Sequence, residues 1–282
     1  MAPATSRTTD HGRLLVSCQD RPGIIAAVAG FLHRHGANIV ESDQFSTDPE
    51  DGTFFLRTVF HRAGLPAVRD ELQQEFAAEV GGPLEMDWTF TDASVPKRVA
   101  IMVSRYDHCL LDLLWRARRG ELDLNVGLVI SNHADLADAV RGFGVPFVHI
   151  PVTRETKPDA ERRQAELLAG NFDLIVLARY MQILSADFLE AVGAPVINIH
   201  HSFLPAFAGA GPYERARKRG VKLIGATAHY VIEQDVVRAS HRHSAEDLER
   251  QGADVERTVL ARAVQWHCED RIVRDGDRTV VF

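Results

Sequence analysis

The chain has little of what marks export, metal capture or membrane residence. Its 282 residues include three cysteines, Cys18, Cys109 and Cys268. They lie too far apart for a disulfide framework or a CxxC metal knuckle, which fits a reducing cytoplasm. No HExxH string occurs, so a zinc-dependent route has no visible ligands, and chemistry without metal or cofactor is expected. No uncharged apolar run is long enough to cross a bilayer. The opening residues, MAPATSRTTDHGR, lack the apolar centre of a signal peptide and read as a loose tail. Positive charge is also scarce: 32 Lys and Arg against 39 Asp and Glu leave a formal net charge of −7. Such a surface repels nucleic acid and anionic lipid, so neither is an expected partner. Repeats and low-complexity stretches are absent.

What is present is an ordinary globular composition, 45% hydrophobic and 25% charged. The apolar pattern changes grammar once. Residues 11–91 read strand, helix, strand, strand, helix, strand. Leu14, Val16 and Cys18 share one face of the first strand, Arg13 to Gln19. Asp20-Arg21-Pro22-Gly23 is a turn into a helix, with Asp20 placed to accept from the free helix N–H groups. Ile24, Val28, Phe31 and Leu32 form the helix stripe, which ends near Gly36 with His33 and His35 in its last turn. Strands follow at Asn38–Ser46 and Thr53–His61, then a helix at Glu71–Val80 and a strand at Leu84–Phe90. This order predicts a ferredoxin-like α/β sandwich, four antiparallel strands with two helices on one side.

Thr91 to Lys97 is polar, contains Pro96 and reads as a linker. Beyond it, 97–282 alternates short apolar strands with helices. The strands are Val99–Val103, Val126–Ile130, Phe147–Ile150, Leu174–Leu177 and Val196–Ile199. Between them lie Leu110–Arg118, Ala134–Gly142, Ala160–Ala169 and Ala186–Val192. A closing helix to about Cys268 opens with Ser244 and Asp247 at capping-box spacing. Continuous apolar strands separated by helices predict a doubly wound, mostly parallel sheet, whose ligands bind beyond the carboxyl ends of its strands.

One strand end carries candidate chemistry. Period-two alternation sends Asn198 and His200 to the same side at the carboxyl end of Val196–Ile199. An amide beside an imidazole can hold a carbonyl oxygen as it becomes an oxyanion, and the imidazole can pass a proton to a leaving nitrogen. Polar residues that merely finish a strand are the alternative.

The longer string NIHHSFLP, followed by GATAHYV, resembles the formyltransferase family that uses 10-formyltetrahydrofolate, and the likeness runs from Lys97 to Phe282. The resemblance implies that Asn198 and His200 are catalytic and that His229 lies near them. It also implies that the loop Leu177–Leu184 binds the folate, with Arg179, Met181 and Ile183 carried over as contacts. Two features point to the deformylase branch. Ser104-Arg105-Tyr106-Asp107-His108 contains no glycine where phosphate-binding relatives have a glycine-rich loop, so no phosphate cradle is expected. His201 follows His200 where the transferases usually have proline, and it could bond the attacking water or be structural. The branch implies hydrolysis of 10-formyltetrahydrofolate to formate and tetrahydrofolate, supplying formate for purine synthesis and balancing one-carbon pools.

The segment DRPGIIAAVAGFLHRHGANIVESDQ resembles an ACT domain. That resemblance implies a small-metabolite effector, often an amino acid, near Asp20 and Gly23, or else a purely structural pairing module. Edge strands of a small sandwich favour a second chain, so a homodimer or homotetramer is expected. One departure stands out. The family motif places an Asp-containing loop after the TAHYV strand, whereas here Val231 runs directly into Ile232, roughly nine residues short of the motif. The missing loop favours the alternative of an impaired or inactive folate- or metabolite-sensing homologue; a transferase of the same family with another acceptor, which would need an acceptor site, is the other alternative.

Overall fold

A computed structural model describes residues 9–200, 223–229, 232–276 and 278–282. They form two compact units. One runs to Pro96 and includes Glu269–Phe282; the other is Lys97–Cys268.

In the first unit, β1 (His11–Gln19), α1 (Ile24–Arg34), β2 (Asn38–Ser46), β3 (Thr53–His61), α2 (Leu65–Phe76) and β4 (Asp87–Asp92) follow the expected βαββαβ order. The sheet is antiparallel in the order β2-β3-β1-β4. Alternation in β1 buries Leu14, Val16 and Cys18 against Ile24, Val28, Phe31 and Leu32 of α1. Phe31 meets Phe76 of α2 edge to face at 5.3 Å. Burial of each such side chain is worth about 2–3 kcal/mol, so these aromatics anchor the layer of helices to the sheet.

Three local expectations are corrected. Asp20 does not cap α1. Gly23 is the N-cap, in the left-handed region at φ +95, and no side chain caps the helix; Asp20 accepts from the Ser46 hydroxyl at 2.5 Å instead. The second helix begins at Leu65 because Pro66 sits in its first turn, where a missing N–H costs nothing. It ends in a π-helical turn, Ala77–Gly81, which carries the chain to a strand starting later than Leu84, at Asp87.

The sequence reading ran the second domain to Phe282. The last residues form a hairpin instead, β12 (Ile272–Asp275) with β13 (Arg278–Val281), and belong with the first unit. The reason is a polar clamp at Asp270. Its carboxylate pairs with Arg13 at 3.2 Å and accepts from Thr91 at 2.7 Å. Arg57, buried on the sheet, donates to the carbonyls of Glu269 and Asp270 and pairs with Glu41.

The second unit contains β5 (Lys97–Val103), α3 (His108–Arg119), β6 (Leu124–Ser131), α4 (Ala137–Gly142) and β7 (Phe147–His149). It continues with α5 (Lys157–Leu168), β8 (Leu174–Leu177), α6 (Ala186–Val192), β9 (Val196–His200), β10 (Leu223–His229), β11 (Glu233–Arg238) and α7 (Ala245–Cys268). Among the described residues its sheet has seven strands, ordered β11-β10-β9-β8-β5-β6-β7. Pairings from β7 through β9 are parallel, and those of β10 with β9 and β11 are antiparallel. The capping box of α7 is formed: Asp247 N–H donates to Ser244 Oγ at 3.1 Å, and Ser244 N–H donates to the Asp247 carboxylate at 2.9 Å. The chain steps from β5 outward to β6 and β7, then returns to β8 on the other side. The strand order therefore reverses between β5 and β8, and the crevice at their carboxyl ends is where such a sheet takes its ligand.

Candidate active site at the reversal of the sheet

Ser104, the first residue after β5, ties three strand ends together. Its hydroxyl donates to Asn132 Oδ1 at 2.7 Å and accepts from Met181 N–H at 2.9 Å. Its N–H donates to the Arg179 carbonyl at 3.3 Å, and its carbonyl accepts from the Ser131 hydroxyl at 3.4 Å. Ser104, Ser131 and Asn132 are all buried. A buried network in which each member has its partner fixes the backbone around it.

The loop after β8 is anchored residue by residue. Arg179 takes a left-handed backbone, φ +63, unusual for a side chain with a Cβ. Arg179 is 7% exposed as a residue, and its guanidinium lies 4.7 Å over the Tyr106 ring and brings Nε to 3.5 Å from Glu256 Oε2 of α7. Tyr180 turns inward, and its hydroxyl accepts from Gln164 of α5 at 2.9 Å; burial pushes that phenol above its ordinary pKa. Met181 and Ile183 then stand outward, 53% and 86% exposed. Two apolar side chains left open beside a sheet crevice are placed to meet a flat apolar ligand.

On the neighbouring strand, Ile197 and Ile199 are buried in the core, while Asn198 and His200 are half-buried on the opposite face. The parallel register sets Asn198 beside Leu177 of β8. The antiparallel register sets His229 of β10 directly opposite Asn198, and Thr227 opposite His200. The fold thus brings the backbones of Asn198, His200 and His229 together, next to the strand that feeds Arg179, Met181 and Ile183. His201 and the side chain of His229 lie outside the described residues, as do Tyr230 and Val231, where the Asp-containing loop would begin.

Sequence reasoning missed Ser104, Asn132, His108 and Glu256. Glu256 did leave a trace: it falls on the buried stripe of α7 with Leu248, Gly252 and Val259, where a lone carboxylate requires a partner. His108 Nε2 lies 2.8 Å from Glu256 Oε2, and donor atoms of His108, Cys109 and Glu256 fall within 4.8 Å of one another. This is a poor cation site, because the Arg179 guanidinium already faces the carboxylate and would repel a metal. Burial first, then the Glu256 charge, holds the Cys109 thiol well above its ordinary pKa, which keeps the sulfur protonated and a weak ligand.

In the first unit, Asp20 and Gly23 bracket the β1–α1 turn, with Asp20 held by Ser46 and its N–H bonded to the Gly52 carbonyl at 2.8 Å. Among the described residues, no helix is long and apolar enough to cross a membrane.

Comparison with known families gives the class first. Residues 97–264 match the family described as formyl transferase, and residues 12–77 match the ACT domain. The fold and site therefore define a formyl-transferase-type catalytic unit joined to an ACT unit. The formyltetrahydrofolate deformylase of Mycobacterium tuberculosis is 63% identical, covering 97% of this chain and 91% of that protein. That of Bacillus subtilis is 50% identical, covering 97% and 94%. The crystal structure of a formyltetrahydrofolate deformylase from Pseudomonas syringae superposes with a TM-score of 0.93 at 44% identity, covering 99% and 96%. The chain belongs to the formyltetrahydrofolate deformylase family. The reading of an impaired folate sensor finds no support in these relatives.

Proposed function

We propose that this chain hydrolyses 10-formyltetrahydrofolate to formate and tetrahydrofolate, with water as the formyl acceptor and no cofactor. The observation that carries this reading is the register joining β9 to β10, which sets an amide, an imidazole and a second histidine at one strand end beside the sheet reversal. Water adds to the formyl carbon and passes one proton to His200, and the oxygen that gains charge is held by the Asn198 amide and the resulting imidazolium. The bond from carbon to N10 then breaks as His200 returns that proton to N10, and formic acid leaves and gives its remaining proton to solvent as formate. Met181 and Ile183 contact the folate ring, with Arg179 beneath them. The family resemblance assigns His229 and His201 to the reaction as well, with His201 as the partner of the attacking water.

The ACT unit supports a finer reading: an amino acid binds at the turn bracketed by Asp20 and Gly23 and regulates the enzyme, within a homodimer or homotetramer working in the cytoplasm. The catalytic claim is tested by formate release from 10-formyltetrahydrofolate. His200→Ala should lower turnover by about 10²–10⁴, the contribution of a positioned acid–base group, while the tetrahydrofolate Kd stays the same. Undiminished turnover removes His200 from the reaction.

A further inference from the structure

We propose that Glu256 is a positioning residue for folate binding: it fixes Arg179, and through Arg179 the course of the loop that presents Met181 and Ile183. This rests on the reading of that loop as a folate contact.

The starting point is the backbone at Arg179. A left-handed φ of +63 at a residue with a Cβ persists only where the surroundings over-determine it. The constraints are visible. The Arg179 carbonyl accepts from Ser104 N–H, and its own N–H donates to the Leu177 carbonyl at 3.1 Å. Its side chain is withdrawn from solvent and stacked on Tyr106. Among the described residues, Glu256 is the carboxylate that faces it. Neither Arg179 Nε nor Nη1 has a hydrogen-bond partner among the described residues, and the Glu256 carboxylate and the Tyr106 ring are contacts that flank the guanidinium. Losing one member of a buried pair leaves the other charge uncompensated, which drives it toward water. For Arg179 that movement requires the backbone at 179 to turn. Met181 is two residues on, held by one bond from its N–H to Ser104 Oγ.

Glu256 is suited to serve as the fixed end of this chain of contacts. It is 2% exposed, lies at mid-length in a 24-residue helix, and is flanked by buried Val259 and Leu260. His108 at the start of α3 approaches the same carboxylate oxygen, so the carboxylate is tied to two elements besides its own. Both Glu256 and Arg179 sit below the loop surface rather than on the reacting strand β9, so their removal acts on ligand affinity before it acts on the chemical step.

The test is a set of substitutions in the full chain, read by KM and kcat for formate release and by the Kd of tetrahydrofolate. Glu256→Gln is expected to raise KM and Kd about tenfold while kcat changes by less than about threefold, the pattern of a displaced binding loop. Arg179→Met is expected to do the same, and the two substitutions together no more than either alone, because they act through one contact. Should Glu256→Gln fail to fold, the double variant Glu256→Leu with Arg179→Leu removes both charges and leaves neither uncompensated; it too is expected to fold with the raised Kd. An unchanged Kd in any folded variant overturns the proposal. So does a kcat loss without a KM change, or a double variant near hundredfold, the product of independent effects. A parent chain that binds tetrahydrofolate but releases no formate counts against the proposed reaction alone, and the Kd ratio still decides this inference.

Discussion

Replacing Ser104 with alanine removes a hydroxyl that serves two buried partners at once. Asn132 Oδ1 loses its donor at 2.7 Å, and Met181 N–H loses its acceptor at 2.9 Å. Asn132 is buried, so its orphaned oxygen carries a full desolvation cost; Met181 is half exposed, so its N–H can recover water and costs less. An unsatisfied buried group costs about 1–3 kcal/mol. Taking about 2 for the first and about 1 for the second gives about 3 kcal/mol in total. For a unit the size of Lys97–Cys268, each kcal/mol moves the melting temperature by about 2–4 °C, so a fall of about 6–12 °C is expected. Urea unfolding of Ser104→Ala, Asn132→Ala and the double variant measures the coupling directly. The two singles should fail to add by about 1 kcal/mol or more, since they break the same bond. A Ser104→Ala loss under about 0.5 kcal/mol, or single effects that sum within that margin, would show that the hydroxyl does not hold the strand ends together.

Two further outcomes follow from packing and charge. A Cβ on Gly12 would overlap the Phe60 ring, which is fully buried and packed on Phe90; Gly12→Ala should cost about 1–3 kcal/mol of overpacking in a urea melt. Asp173 is bonded to the Arg98 guanidinium at 2.7 Å and to its N–H at 2.7 Å, and the Arg98 side-chain bond, the largest cause, holds the Asp173 carboxyl below its ordinary pKa. A lowered carboxylate pKa stabilises above the unfolded value and is lost as pH falls through the folded one. Because the pair is partly exposed, Asp173→Asn should cost only about 0.5–1 kcal/mol at neutral pH. In paired urea titrations the gap between the two chains should close toward low pH; a gap that widens with acid refutes the assignment.

How much of this was legible beforehand depends on the range of the interactions involved. Leu174–Leu177 and Ala186–Val192 match the expected spans because a four-residue apolar run and a short amphipathic helix carry their own signals. The Ser244–Asp247 box was readable for the same reason: both partners lie within four residues. Asn198 and His200 share a face by strand alternation alone. Asp20 misled, since a good capping residue before a helix was claimed by Ser46, distant in sequence. Ser104 and Glu256 went unseen because their partners come from other strands and helices, and period or spacing cannot reveal them. The terminal hairpin was invisible for a related reason: its short strands pair with each other, and Asp270 finds Arg13, Arg57 and Thr91 far away along the chain.

That hairpin changes how the polypeptide is threaded. Since Glu269–Phe282 is clamped onto the sheet built by the opening residues, the folate-type unit is an insert spliced into a host module, connected at both of its ends. One proteolytic nick, at either Pro96 or Cys268, would leave the two bodies tethered by the remaining strand of backbone. A fragment produced from Lys97 onward, without the first 96 residues, would carry an orphaned tail whose Asp270 has lost every partner named above.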